Sequence, residues 1–174
     1  VIERGRVTEA LQGMLAAATG RPCGRGRLPL LDGRPAPLPY TVLYPQGVTV
    51  DGAPLADRAE DARLLYQVTV VAARTDQAEW LADRVQRALL GRTTQGAWAH
   101  PIPAADVDVW ARELLVDDGV DPAGADDGVV TAVQRYELSA TDCGDATATE
   151  GDPDSGLSGP RALSSVPGKF AGER

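Results

Sequence analysis

Chemistry needs reactive side chains at workable spacing, and this chain offers four places to look for them. His100, in "GAWAHPIP", is the only histidine, so any nucleophile and base pair would have to use it, and one chain cannot build a two-histidine metal site. Its Gly, Trp and Pro neighbours make a loop, and a surface or turn histidine is expected. "GRPCGRGR", residues 20–27, is Gly-rich and basic, but it lacks the Lys-Ser/Thr pair of a phosphate-cradling loop. A flexible basic loop touching a neighbouring acidic surface is expected there. "DDGVDPAGADDG", residues 117–128, has the composition of a calcium loop, yet Pro122 stands at the sixth position, where Gly is needed, and Gly128 at the twelfth, where Glu is needed. A solvated acidic hairpin connection is expected. Asp106 and Asp108 would project from one side of a strand by its two-residue period, with no third residue nearby in sequence to support a general acid and base.

Neither the cysteines nor the charges add a reactive centre. Cys23 and Cys143, the only two, lie 120 positions apart, which is neither a disulfide framework nor a zinc spacing, and reduced thiols are expected. Residues 1–100 hold 12 basic and 10 acidic side chains, residues 101–174 hold 5 and 15. That balance argues against gripping nucleic-acid phosphates, which takes clustered Lys and Arg, but suits a surface past which DNA slides. An enzyme is the weakest class, and no metal or cofactor is expected. No run approaches 18 apolar residues, and Glu3, Glu9 and Gln12 interrupt any signal-peptide core, so neither a membrane span nor an export signal is expected.

The elements that position these residues follow from periodicity. Val7, Ala10, Leu11, Met14, Leu15 and Ala18 recur at helical spacing before Gly20 and Pro22, which predicts a helix over 6–19. The Gly/Pro/Arg-rich stretch to Pro39 reads as a long loop. "YTVLYP", 40–45, is a short strand ended by Pro45, "GVTVDG" another brief extended piece, and "LLYQVTVVAA", 64–73, a central strand. "RTDQAEWLADRVQRALLG", 74–91, predicts a second helix, with Asp76 and Glu79 as a capping-box pair and Gly91 as the stop. Strands over 106–116 and 129–140 complete an α+β fold: a small antiparallel or mixed sheet covered by two helices, occupying residues 1–143. Residues 144–174, rich in Gly, Asp, Ser and Pro, cannot form a core and read as an extended tail.

On the second helix, Ala78, Leu81, Ala82, Val85 and Leu89 share one face, and Trp80 projects from the opposite one beside Arg84 and Arg87. Covering an indole at a subunit contact removes roughly 150 to 250 Å² from water, an upper bound of about 4 to 6 kcal/mol. Trp flanked by Arg is also typical of interface hot spots. Trp80, Arg84, Arg87 and, in the tail, Phe170 are therefore the candidate subunit-interface residues.

The first helix, the Pro-rich loop, "YTVLYP", "GAPLAD", "YQVTVVAARTDQAEWLADRVQRALLG" and the closing "YELSATD" together resemble tail terminator proteins of long-tailed bacteriophages, particularly those infecting high-GC actinobacteria. The resemblance spans about residues 5–143. It implies a structural virion protein of the head-proximal end of the tail, present in the host cytoplasm during assembly. Such a subunit closes into a hexameric ring, ends tube polymerisation and meets the tail tube protein and a head-completion or neck protein, while genome DNA passes the lumen without specific binding. Asp117, Asp118, Asp121, Asp126 and Asp127 are then candidates for the lumen or for a basic partner. The alternatives are another neck component, a tube subunit, which should show a long hairpin that this reading does not find, and a small binding module or enzyme with a polar pocket.

Overall fold

A computed structural model describes residues 2–51, 61–121 and 128–143, which fall in the first of the chain's two units, Val1–Gly144. Phe170 and the 144–174 tail, and Asp126 and Asp127, lie outside the described residues.

The fold is α+β. Helix α1 (Arg4–Thr19) leads through β1 (Cys23–Arg25) to a small hairpin, β2 (Leu30–Leu31) and β3 (Arg34–Pro35). Then come β4 (Tyr40–Asp51), β5 (Asp61–Ala72), helix α2 (Thr75–Leu90), β6 (Val107–Asp121) and β7 (Val130–Asp142). The main sheet runs β1-β4-β5-β7-β6, antiparallel except that β1 pairs parallel to β4.

Burial alternates along β5 and β7: Ala62, Leu64, Tyr66, Val68, Val70 and Ala72, with Ala132, Gln134, Tyr136, Leu138 and Ala140, all face the helices. Val7, Leu11, Met14 and Leu15 of α1 and Leu81, Val85 and Leu89 of α2 close over them. The hydroxyls of Thr8 and Tyr66 share a buried hydrogen bond of 3.0 Å that ties α1 to the centre of the sheet. The opposite sheet face carries half-buried Gln67, Thr69, Thr131, Val133 and Ser139 and has no helix over it among the described residues.

Both helices form where the apolar spacing places them, but the ends of α2 differ from expectation. Arg74 occupies the N-cap position with no side-chain cap, and Asp76 lies inside the first turn. Its carboxylate is taken by Arg74, at 2.9 and 2.6 Å, instead of capping an amide. Gly91 ends the helix in extended geometry, φ −61° and ψ 136°, whereas Gly20 ends α1 in the left-handed geometry expected of a glycine stop, φ 66°.

The strands are longer than the sequence predicts. "YTVLYP" and "GVTVDG" are one strand, β4, which continues through Pro45 by a register shift between Pro45 and Val48. Such irregularities are where a sheet tolerates proline. β6 runs to Asp121, so Asp117, Asp118 and Asp121 sit on a strand and not in a loop. The stretch 20–39, expected as loop, contains β1 and the hairpin. Its two-residue turn, Asp32 (φ 51°) and Gly33 (φ 77°), has the paired positive φ of a type I′ turn.

Candidate interface surfaces

The helix positions that point outward place the residues the sequence singles out. Trp80 is 39 % exposed on the outer side of α2. Two guanidiniums lie near its ring: Arg84, one turn on, is 4.9 Å from the ring centroid and Arg21 is 5.5 Å away. Both distances are within cation–π reach. Arg87 is exposed, its Nε donating to the Asp83 carbonyl at 3.2 Å. Arg84 and Arg87 also line a shallow hollow of about 200 Å³ with Ala18, Ala88 and His100. The predicted trio therefore forms one patch, joined by Arg21 and His100, which the sequence reading did not connect to it.

Asp106 and Asp108 do not share a strand face. β6 begins at Val107, and Asp106 precedes it in a left-handed turn, φ 58°, where Arg6 Nη1 donates to its carboxylate at 3.1 Å. Asp117 is a structural acceptor: its Oδ1 takes the Gly119 amide and its Oδ2 the Gln134 side chain, both at 3.0 Å. Gln134 passes the chain inward by accepting from the Tyr136 hydroxyl at 2.9 Å. Burial, reinforced by the Asp117 charge, pushes the Tyr136 phenol well above its ordinary range. Among the described residues no three His, Cys, Asp or Glu side chains come together as a metal site, and no helix is long and apolar enough to cross a membrane.

Three features escaped the sequence reading. The first is Arg112, which points into the protein beneath the 91–104 loop, its Nη1 donating to the carbonyls of Leu89 (3.2 Å) and His100 (2.8 Å). Arg112 and Arg92 both lie against the Trp98 ring, at 4.5 and 3.3 Å from its centroid. Burial first, and the charge of Arg92 second, push the Arg112 guanidinium down to about 10, so it stays cationic at neutral pH.

The second is the irregularity of β6. Register shifts at Val109/Ala111, Leu114/Val116 and Asp117/Val120 leave Trp110, Leu115 and the Asp118-Gly119 pair without a partner on β7. Trp110 and Leu115 are 51 % and 47 % exposed. The Trp110 indole is nonetheless fixed, because its Nε1 donates to Thr141 Oγ1 at 3.0 Å and that hydroxyl donates to Asp61. Strict alternation would turn Arg112 to the same side as Trp110; the extra residue at Trp110 reverses it.

The third is the hairpin and exposed leucines of the arm made by residues 25–35, of which the sequence suggests only a flexible basic loop over 20–27. Leu28, Leu30 and Leu31 are 42 to 53 % exposed, and Arg25, Arg27 and Arg34 are exposed beside them. A cleft of about 530 Å³ opens at its base, lined by Gln12, Cys23 and the 24–30 stretch. The Asp-Gly turn was the available signal for this hairpin.

No protein-family model matches the chain, and no curated protein does. A solved protein chain that carries no functional name is 17 % identical, covering 78 % of this chain and 92 % of its own, with a TM-score of 0.39. A likeness at that level says nothing about role.

Proposed function

We propose that this chain is a structural subunit of a phage tail terminator: a ring, hexameric in the family it resembles, that caps the tail tube and joins it to the neck. The observation that carries the proposal is that the two most exposed indoles on the described surface of α2 and β6 each have side-chain partners that hold them. Trp80 lies against Arg21 and Arg84, and Trp110 is tied through Thr141 to Asp61. Fixed indoles at the surface lower the ordering cost of forming a contact, which suits an assembly subunit. The order of segments from α1 to "YELSATD" supports the same reading. In this proposal the acidic side chains of β6 meet the lumen or a basic partner, and genome DNA passes without specific binding.

A second reading, a tail tube subunit, is favoured by one specific observation. The sequence shows no pair of long strands, yet β6 and β7 form a hairpin of 15 and 13 residues. The two readings separate in cells infected with phage that lacks this chain. A terminator's absence leaves tubes that overgrow their normal length, whereas a tube subunit's absence leaves no tubes. Tubes of normal length, joined to heads, would contradict both.

A further inference from the structure

The two edges of the sheet are chemically complementary. At one edge, β1 covers only Thr41–Leu43 of β4, and the arm that follows β1 exposes Arg25, Arg27 and Arg34 around Leu28, Leu30 and Leu31. Among the described residues the only acidic side chain in 20–39 is Asp32, at the tip of the turn. At the other edge, β6 exposes Asp108, Glu113 and Asp118 around Trp110 and Leu115. Its one arginine, Arg112, is turned inward. Glu113 also stands directly opposite Glu137 of β7, which concentrates negative charge beside the edge. Five strands at about 4.8 Å spacing put the edges about 19 Å apart on one subunit, too far to meet each other.

We infer that the arm edge of one copy seats on the β6 edge of the next, with Trp110 against the cleft at the base of the arm and the arm arginines facing Asp108 and Glu113. The inference rests on the ring reading above and names its contact. A patch that meets a different patch on an identical neighbour is heterologous, the geometry from which closed rings are built. The three bulges of β6 decide how the contact is made. They break the regular outer ladder that strand addition needs and leave Trp110 and Leu115 exposed, the Trp110 indole lying over the sheet face toward Thr141, so side chains and not backbone hydrogen bonds form the joint. The cleft rim supplies Arg25 and Arg27, the partners an indole and a carboxylate edge both favour.

Cysteine cross-linking of the full chain tests this, in a background with exposed Cys143 replaced (Cys143→Ser) and buried Cys23 left in place. Separate preparations carry Leu28→Cys, Leu30→Cys or Leu31→Cys on the arm, and Leu115→Cys or Asp118→Cys on the edge. These are mixed pairwise at millimolar concentration and oxidised. At least one arm–edge mixture is expected to give about tenfold more disulfide-linked dimer than either preparation alone, corresponding to about 1.4 kcal/mol of preference. Arg25→Glu with Arg27→Glu should abolish the excess, and Asp108→Arg with Glu113→Arg on the other preparation should restore it. All the positions are exposed, and unchanged thermal unfolding verifies that each variant folds. Arm–edge yields no higher than same-side yields overturn the contact. If the wild-type chain then sediments as an oligomer, or its absence still gives overlong tubes, the ring reading stands with a different joint. Tubes of normal length overturn that reading independently.

Discussion

Arg112 shows how much one unforeseen side chain organises. It is a buried cation whose pull comes from two backbone carbonyls and an indole face in place of a carboxylate, and it pins the 91–104 loop to the end of α2. Removing it strands those carbonyls and empties the space beneath Trp98. Arg112→Ala is therefore expected to cost about 2 to 3 kcal/mol, measured as a lower urea midpoint with unchanged slope. Buried acids set a second expectation. Burial raises Cys23 and, against the lowering effect of its Thr8 hydrogen bond, Tyr66; burial and Asp117 raise Tyr136. A raised acid holds its proton in the folded chain after the unfolded chain has released it, so its stabilising contribution is complete at neutral pH and lost as pH rises. Cys23 acts first: stability should fall from about pH 9 upward, by at most about 1.4 kcal/mol per pH unit for one proton. Arg112, a lowered base, acts in the opposite direction, but only from about 10. Urea midpoints between pH 7.5 and 10 check the slope, and Cys23→Ala should flatten it.

At the scale of elements, both helices and the sheet-facing side of α2 were legible, because a 3.6-residue apolar period is written locally. Ala78, Leu81, Ala82, Val85 and Leu89 are all buried as that spacing requires. The positions of β5 and β7 were legible from local composition, the concentration of β-branched and aromatic residues. What escaped depends on distant partners. β1 is three residues with no period of its own, and its strand character comes from lying beside Thr41–Leu43. The bulges of β6 exist only relative to β7, so alternation alone misplaces Arg112. Asp76 looked like a cap because the sequence does not show that Arg74 takes its carboxylate. Of the candidate site, Trp80, Arg84 and Arg87 were legible as one outward helix face, while the arm and the β6 edge needed the sheet order to be seen as opposites. The arm also depends on a close approach: a Cβ on Gly24 would lie 2.0 Å from the Arg27 carbonyl oxygen and 2.8 Å from the Pro29 nitrogen. Both are backbone atoms that cannot swing aside. Gly24→Ala is expected to displace the arm and cost about 1 to 3 kcal/mol, seen as a lower melting temperature and a lower arm–edge cross-linking yield.

On the scale of the whole molecule, the sheet has two unlike edges: a basic, leucine-bearing one and an acidic one carrying Trp110 and Leu115. Both are held by the same one-layer-of-helices architecture, and their opposite charges are what the proposed contact between copies uses. Trp80 belongs to this scale too. Because more than half of the indole is covered within its own chain, beside Arg21 and Arg84, Trp80→Asp is expected to lower stability by about 2 kcal/mol while the chain still folds, and to reduce the yield of completed virions further than a buried-core variant of equal stability. Normal virion yield from that variant would remove Trp80 from the assembly surface. The central claim, that this chain works as one closed ring between tube and neck, is tested most directly by electron cryomicroscopy of the assembled particle. A single ring of this chain is expected at the head-proximal end of each tail, with the arm of each copy against β6 of the next. Copies stacked along the whole tube, or none in the particle, would contradict it.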